Sequence, residues 1–320
     1  MNTHSKNLLS FILLLFLYLL SACAPYKNAD DENLFFKGQD DSGVTVILNT
    51  PPQRIVSLNL STDEMLLAIV PHNRIAGLSW YIEDRGLSSM TDEAMDVPIK
   101  LKDRDPEHIL ALHPDLVLTT DGVDAELTKS LRDLGLTVYV TNTPLNIDGI
   151  LQRISTIGRL TDCEAVAQKL DDHLQTRLKD IQAHIGDIPE KDQPIVAAFS
   201  PSGVFGRKGG LFEDMLHHAG ARNAAGMAGL TVDHPVSLEE IIAINPDVFL
   251  LPTWGAKNEN VQAFRENLLK NPALQTVRAI REKRIYTISD VYRYSASQNA
   301  IEGVYQIAKA LYPTRFTKTN

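Results

Sequence analysis

Residues 106–118 read PEHILALHPDLVL, and residues 238–250 read LEEIIAINPDVFL. Six of the thirteen aligned positions are identical: Glu107/Glu239, Ile109/Ile241, Ala111/Ala243, Pro114/Pro246, Asp115/Asp247 and Leu118/Leu250. Most of the rest exchange one apolar residue for another. Each copy reads as a short helix, a Pro-Asp turn and a buried strand. Asp105 and Ser237 stand at the helix N-caps, and Pro106 suits the first helical position. One unit repeated at a constant offset predicts two similar lobes. Outward from it, strand signals fall at 54–58, 74–78, 116–119 and 136–140, then at 195–199, 248–251 and 284–288. Helix signals alternate with them, among others at 211–219 and 297–311, and Ser61 with Glu64 reads as a capping box opening another helix. The expected fold class is α/β, two lobes with mainly parallel sheets.

One long helical segment separates the halves. Residues 162–186 carry an apolar stripe of Val166, Leu170, Leu174, Leu178, Ile181 and Ile185. Thr161 and Glu164 read as its capping box, and Gly186 and Pro189 stop it. Such a helix can cross between lobes as a strut or lie on the surface of either.

The chain has 320 residues, 44% of them hydrophobic and 22% charged, which excludes disordered, collagen-like and simple coiled-coil classes. Its formal charge of -9 excludes nucleic-acid binding through a basic footprint. The N-terminus is a targeting segment. After Lys6 an apolar run, Leu8 to Leu20, has the length of a signal-peptide core and is too short for a spanning helix. Leu20-Ser21-Ala22-Cys23 follows and resembles a bacterial lipobox, which implies lipidation of Cys23 and export to the cell envelope. A plain secretory signal with an incidental cysteine is the alternative. Cys163 is left without a partner and reads as a small buried residue. The expected organisation is a lipoprotein signal peptide over 1–22, a polar tether over 23–43, a first lobe over 44–160, a linking helix over 161–188 and a second lobe over 189–320. Within the tether, Leu34-Phe35-Phe36 is an apolar cluster with no evident role.

Taken together, several loose motifs in order carry a resemblance. They are residues 51–58 (PPQRIVSL), Glu107 through Leu118, the 162–186 helix, Ala219-Gly220-Ala221-Arg222-Asn223, Val236-Ser237-Leu238-Glu239-Glu240 and Asn271-Pro272-Ala273-Leu274. The chain resembles the substrate-binding components of ABC importers for ferric siderophores, haem and cobalamin, over nearly all of 44–313. The resemblance implies two rigid lobes on one helical backbone, a metal chelate bound between them, and a monomer that delivers its cargo to the permease. It also implies that Glu107 and Glu239, one per lobe, dock onto permease arginines. Acids in a first helical turn also simply favour the helix dipole. Residues 79–96, SWYIEDRGLSSMTDEAMD, depart from the family pattern, so cargo identity is not carried over.

Ligands in open α/β sheets bind beyond the carboxyl ends of strands. That nominates Asn59, Trp80, Tyr81, Thr120, Asp121, Phe205, Arg207, Trp254, Tyr292, Arg293 and Tyr294. The ligand-binding set is narrowed to Trp80, Tyr81, Arg207, Trp254, Tyr292 and Arg293. Aromatic walls suit a macrocycle or catecholate, and arginines suit its anionic groups. No resident cofactor and no protein metal site is expected. A direct zinc or manganese receptor would need three or four converging ligands, and none of the nine histidines sits in such a spacing. An exported enzyme is a weaker reading: Asp103, Asp105 and Glu107 cluster, but no nucleophile elbow, P-loop or dinucleotide fingerprint is present.

Overall fold

Strands that are apolar at every position belong in a parallel sheet covered on both faces. A computed structural model, which describes residues 34–231, 233–255 and 260–317, arranges them in that way. The first lobe contains β1 (Phe36–Gln39), β2 (Thr45–Leu48), β3 (Ile55–Ser57), α1 (Leu60–Ile69), β4 (Ile75–Ser79), β5 (Lys100–Leu101), α2 (Pro106–Leu110), β6 (Leu116–Thr120), α3 (Ala125–Asp133) and β7 (Val138–Thr141). Two helices follow, α4 (Ile147–Thr161) and α5 (Glu164–Ile185). The second lobe contains β8 (Ile195–Ser200), β9 (Gly203–Phe205), α6 (Leu211–His218), β10 (Arg222–Asn223), α7 (Ala224–Met227), α8 (Leu238–Ile244), β11 (Val248–Leu251), α9 (Val261–Lys270), α10 (Arg278–Arg281), β12 (Ile285–Thr287), α11 (Asp290–Arg293) and α12 (Ala300–Leu311).

The first-lobe sheet has the order β5-β4-β3-β6-β7, all parallel. The second has the order β10-β8-β11-β12, also parallel, with β9 antiparallel on β8. The repeated Pro-Asp turn has the same task in both. Asp115 accepts hydrogen bonds from the Gln53 and Arg54 amides at 2.6 and 2.9 Å, tying β6 to the start of β3. Asp247 accepts from the Ile195 amide at 2.8 Å, tying β11 to the start of β8. The residue ending each short helix region, His113 or Asn245, takes a left-handed conformation with φ of 47° or 55°. Asp105 and Ser237 cap α2 and α8 through their side chains, and Ser237 forms a full capping box with Glu240.

One continuous apolar cluster runs through both lobes. Leu66, Leu78 and Leu118 of the first lobe join Ile150, Ile154, Leu174 and Ile181 of α4 and α5, and these join Met215, Leu250, Ile301 and Val304 of the second. Each sheet's other face has its own smaller cluster, around Ile109, Val117 and Leu131 in one lobe and Phe199, Ile241 and Phe249 in the other.

Four local expectations are corrected. Residues 34–43 are not all tether: β1 and β2 form an antiparallel hairpin, and Phe35 and Phe36 pack against the core, Phe36 edge-on to Tyr139 at 6.3 Å. Asp40 in its turn is buried, pairs with Arg132 and accepts from the Val140 amide at 3.1 Å, so the first lobe starts before residue 44. The linking helix is α5, Glu164–Ile185, as expected, but it is not opened by a Thr161–Glu164 capping box. Thr161 closes α4, its hydroxyl donating to the Ile157 carbonyl, and Asp162 breaks the helix at φ 56°. Cys163, buried as expected, is the N-cap of α5 and gives no side-chain cap. Val166 is exposed and Ala167 buried in its place. A spacing of four residues advances about 40° more than a full turn, so a run of such steps drifts off any one face. Finally, Asn59 caps α1, not Ser61, because its side chain accepts from the Ser61 amide at 2.9 Å. Glu64 turns inward and is buried.

Candidate functional site

Parallel strands put all their carboxyl ends on one edge, and each lobe turns that edge toward the other. A cavity of about 370 Å³ opens where Thr143, Pro144 and Leu145, just past β7, meet Val204, Phe205, Gly206, Arg207, Gly210, Leu211, Phe212, Leu230, Thr231, Arg293, Tyr294 and Ala296 of the second lobe. Its wall is aromatic: the Phe205 ring lies 4.9 Å from both Phe212 and Tyr294. Gly206 holds the turn beneath it at φ 96°, where an added Cβ would meet Phe212 at 2.7 Å.

Of the nominated ligand residues, Arg207 lines this cavity and is exposed. Arg293 is at its edge, but its side chain is fully buried and already paired. Its Nε and Nη2 bind Asp290, its Nη1 donates to the Phe199 carbonyl at 2.7 Å, and its guanidinium lies 4.9–5.0 Å over the Phe205 and Tyr294 rings. The arginine is therefore neutralised by its own lobe and stiffens the aromatic wall. Tyr292 does not line the cavity; Tyr294, two residues on, does, and burial holds its phenol pKa above the usual value. The Trp80 and Tyr81 rings lie 4.4 Å apart, tilted by 30°, and line a separate cavity of about 310 Å³ in the first lobe, with Lys102, Asp103 and Arg104.

Trp254 bridges the lobes. Its indole Nε1 donates to Asp84 Oδ2 at 3.2 Å, and its backbone amide donates to Asp290 at 2.7 Å. Close approach requires glycine opposite: a Cβ on Gly86 would lie 2.0 Å from Trp254 Cδ1. Asp63 holds the first-lobe wall from behind, accepting from the Ser79 amide and hydroxyl immediately before Trp80. It is completely buried, and desolvation outweighs those hydrogen bonds, pushing its carboxyl from 3.8 up to about 8.

Glu107 and Glu239 are exposed in the first turns of α2 and α8. Each helix runs back from the carboxyl edge toward the start of the strand it precedes. Glu107 follows the end of β5 by six residues, and α8 follows Leu230 and Thr231 of the main cavity. Both acids thus stand on the cleft rim of their own lobe. Beside Glu107, His108 pairs with Asp103 at 3.0 Å, which raises the imidazole pKa.

Thr143–Leu145, Phe212, Leu230, Lys102 and Arg104 were not nominated from sequence, although 143–145 and 102–104 directly follow β7 and β5 and obey the same strand-end rule. Among the described residues no group of three or more His, Cys, Asp or Glu side chains is placed to hold a metal ion. Cys23 lies outside the described residues.

The sequence profile of the family described as periplasmic binding protein matches residues 55–292. An ABC transporter substrate-binding lipoprotein of Bacillus subtilis (strain 168) is 26% identical over 283 residues, spanning 87% of this chain and 85% of the relative. A cobalamin-binding protein of Halobacterium salinarum (strain ATCC 29341 / DSM 671 / R1) is 27% identical over 214 residues, 65% of this chain and 56% of the relative. The solved periplasmic haem-binding protein of Roseiflexus sp. RS-1, in apo form, has the same fold, with a TM-score of 0.68 at 24% identity, covering 82% of this chain and 99% of that one.

Proposed function

Because the chain belongs to the periplasmic binding protein family, we propose that it is the exported receptor of an ABC importer, binding an organic metal chelate between its lobes. The observation that carries this reading is the cavity of about 370 Å³ built from both lobes, with an aromatic wall and one exposed arginine. Its size lies in the range of small-molecule sites, about 300–1,000 Å³. Phe205, Phe212 and Tyr294 offer flat apolar area to a ring system, and Arg207 offers a cation to a carboxylate or catecholate. Ferric siderophore, haem and cobalamin all have that chemistry, and relatives named for haem and cobalamin support the class. The protein binds its cargo without transforming it.

Two further parts complete the reading. Glu107 and Glu239 dock the loaded receptor on the two permease subunits, each meeting a cationic side chain at the rim. Cys23 carries the lipid that anchors the mature chain at the envelope, in agreement with the lipoprotein relative.

The test is purification from the native host, with a visible spectrum and mass spectrometry of the bound molecule, followed by titration of the stripped protein with haemin, cyanocobalamin and a ferric tris-catecholate. One of the three is expected to bind at micromolar concentration or below. Tight binding of free Zn²⁺ or Mn²⁺ with none of the chelates overturns the proposal in favour of a direct metal receptor.

A further inference from the structure

A carboxylate buried without a cation is costly, and apolar residues of the same volume would pack there at lower cost. Glu64 is 1% exposed on α1 of the first lobe, and among the described residues its carboxyl group is met by hydroxyls. Ser88 of its own lobe donates to Oε1 at 2.7 Å. Ser295 and Ser297 of the second lobe both donate to Oε2, Ser295 at 3.0 Å. Gln298 Nε2 donates to the Glu64 main-chain carbonyl at 2.9 Å. Three side chains of one short segment in the second lobe therefore end on a single residue of the first.

That segment is the cavity wall. Tyr294 and Ala296 line the cavity, and the residues between and after them, Ser295, Ser297 and Gln298, turn the other way and reach Glu64. The alternation makes residues 294–298 a two-sided strip, cargo on one side and Glu64 on the other. A carboxyl group has two oxygens, so Glu64 can meet Ser88 on one and the mutually hydrogen-bonded Ser295–Ser297 pair on the other. Its burial fixes where the strip stands relative to the first lobe.

We propose that Glu64 is a positioning residue for ligand capture, a first-lobe carboxylate that sets the second-lobe wall of Tyr294 and Ala296 at its distance from the first lobe. The proposal rests on the interlobe cavity being the cargo site. Without the Glu64 link the strip loses its tie to α1, the lobes separate at the cleft, and the Trp254–Asp84 hydrogen bond lengthens with them. Binding weakens although Glu64 touches no cargo.

Trp80 and Trp254 are the chain's two tryptophans. Trp254 bridges the lobes through Asp84, so acrylamide quenching of intrinsic fluorescence reads their separation at that residue with no ligand present. The experiment compares full-length protein as wild type, Glu64→Gln, Ser295→Ala/Ser297→Ala, and all three changes together. Expected are a quenching constant raised about twofold and haemin affinity lowered roughly tenfold in Glu64→Gln, with cooperative melting retained. The serine pair should reproduce both effects, and the combined variant should add little to either, as groups in one network do. Glu64→Asp, which keeps the carboxyl group on a shorter stem, should recover part of the quenching change. Wild-type quenching in Glu64→Gln, strictly additive effects, or loss of binding only in step with loss of melting temperature each overturn the proposal. The quenching arm decides it even if haemin binds no variant, a result that counts against the cargo reading alone.

Discussion

The two lobes agree at one end of their sheets and differ at the other. At the amino ends, Asp115 and Asp247 do the same work, each tying the strand it opens, β6 or β11, to the start of the neighbouring strand, β3 or β8. At the carboxyl ends the lobes present different surfaces. The first offers the tilted Trp80–Tyr81 pair beside Lys102 and Arg104; the second offers Phe205, Phe212 and Tyr294 stiffened by the Arg293–Asp290 pair. Amino-end interactions hold a strand in register, a demand common to any parallel sheet. Carboxyl-end loops are free of that demand and can differ between the lobes.

The strongest test of the comparison is at the rim, where the lobes agree again. Glu107→Ala/Glu239→Ala should reduce uptake to near background while cargo affinity stays within about twofold, since charge pairs at an exposed rim set orientation and encounter more than site geometry. Uptake and equilibrium binding are compared in the same protein, and parallel loss of both contradicts a docking role. Next come the two cleft arginines. Arg293→Ala leaves Asp290 buried without its cation and should cost about 3–5 kcal/mol of stability in thermal or urea unfolding. Arg207→Ala, exposed at the cavity, should leave stability within about 0.5 kcal/mol of wild type and weaken an anionic cargo roughly tenfold. An unstable Arg207→Ala or a stable Arg293→Ala would reverse the assignment.

The repeated aspartates come third. Asp247 is 8% exposed and also pairs with Arg278, whereas Asp115 is exposed. Asp247→Ala should therefore cost about 2–3 kcal/mol and Asp115→Ala about 1 kcal/mol, measured by urea unfolding. Equal costs would mean that burial does not distinguish the two copies. A pH slope is the last test. Asp63 keeps its proton up to about 8 in the folded chain, against an ordinary value of 3.8. Its contribution is thus fully present below pH 3.8 and is lost as pH rises through 8. The wild-type melting temperature should fall by a few degrees between pH 5 and pH 9, and Asp63→Asn should flatten that fall. An unchanged slope would remove Asp63 as its source.

The amino-acid sequence alone determined what depends on neighbours a few residues apart. It specified the repeated helix–turn–strand unit with its Asp105 and Ser237 caps, the buried parallel strands, and, through the strand-end rule, the edge on which a ligand site must lie. These signals are local: a cap acts over three residues and a strand's burial over five. Tertiary structure decided the rest. Ser61 and Glu64 have the spacing of a capping box, yet Glu64 takes hydroxyls from Ser295 and Ser297, 231 and 233 residues away. Arg293 follows a strand end as a ligand-binding arginine should, yet Asp290, three residues earlier, turns it inward. Leu34-Phe35-Phe36 lies in a polar stretch, yet the hairpin seats Phe35 and Phe36 on the core. In each case the residue's chemistry was plain in the sequence and its partner was not. Which donor reaches a buried carboxylate, or which ring covers an apolar side chain, follows from how the lobes fold against each other, and no local pattern encodes that distance.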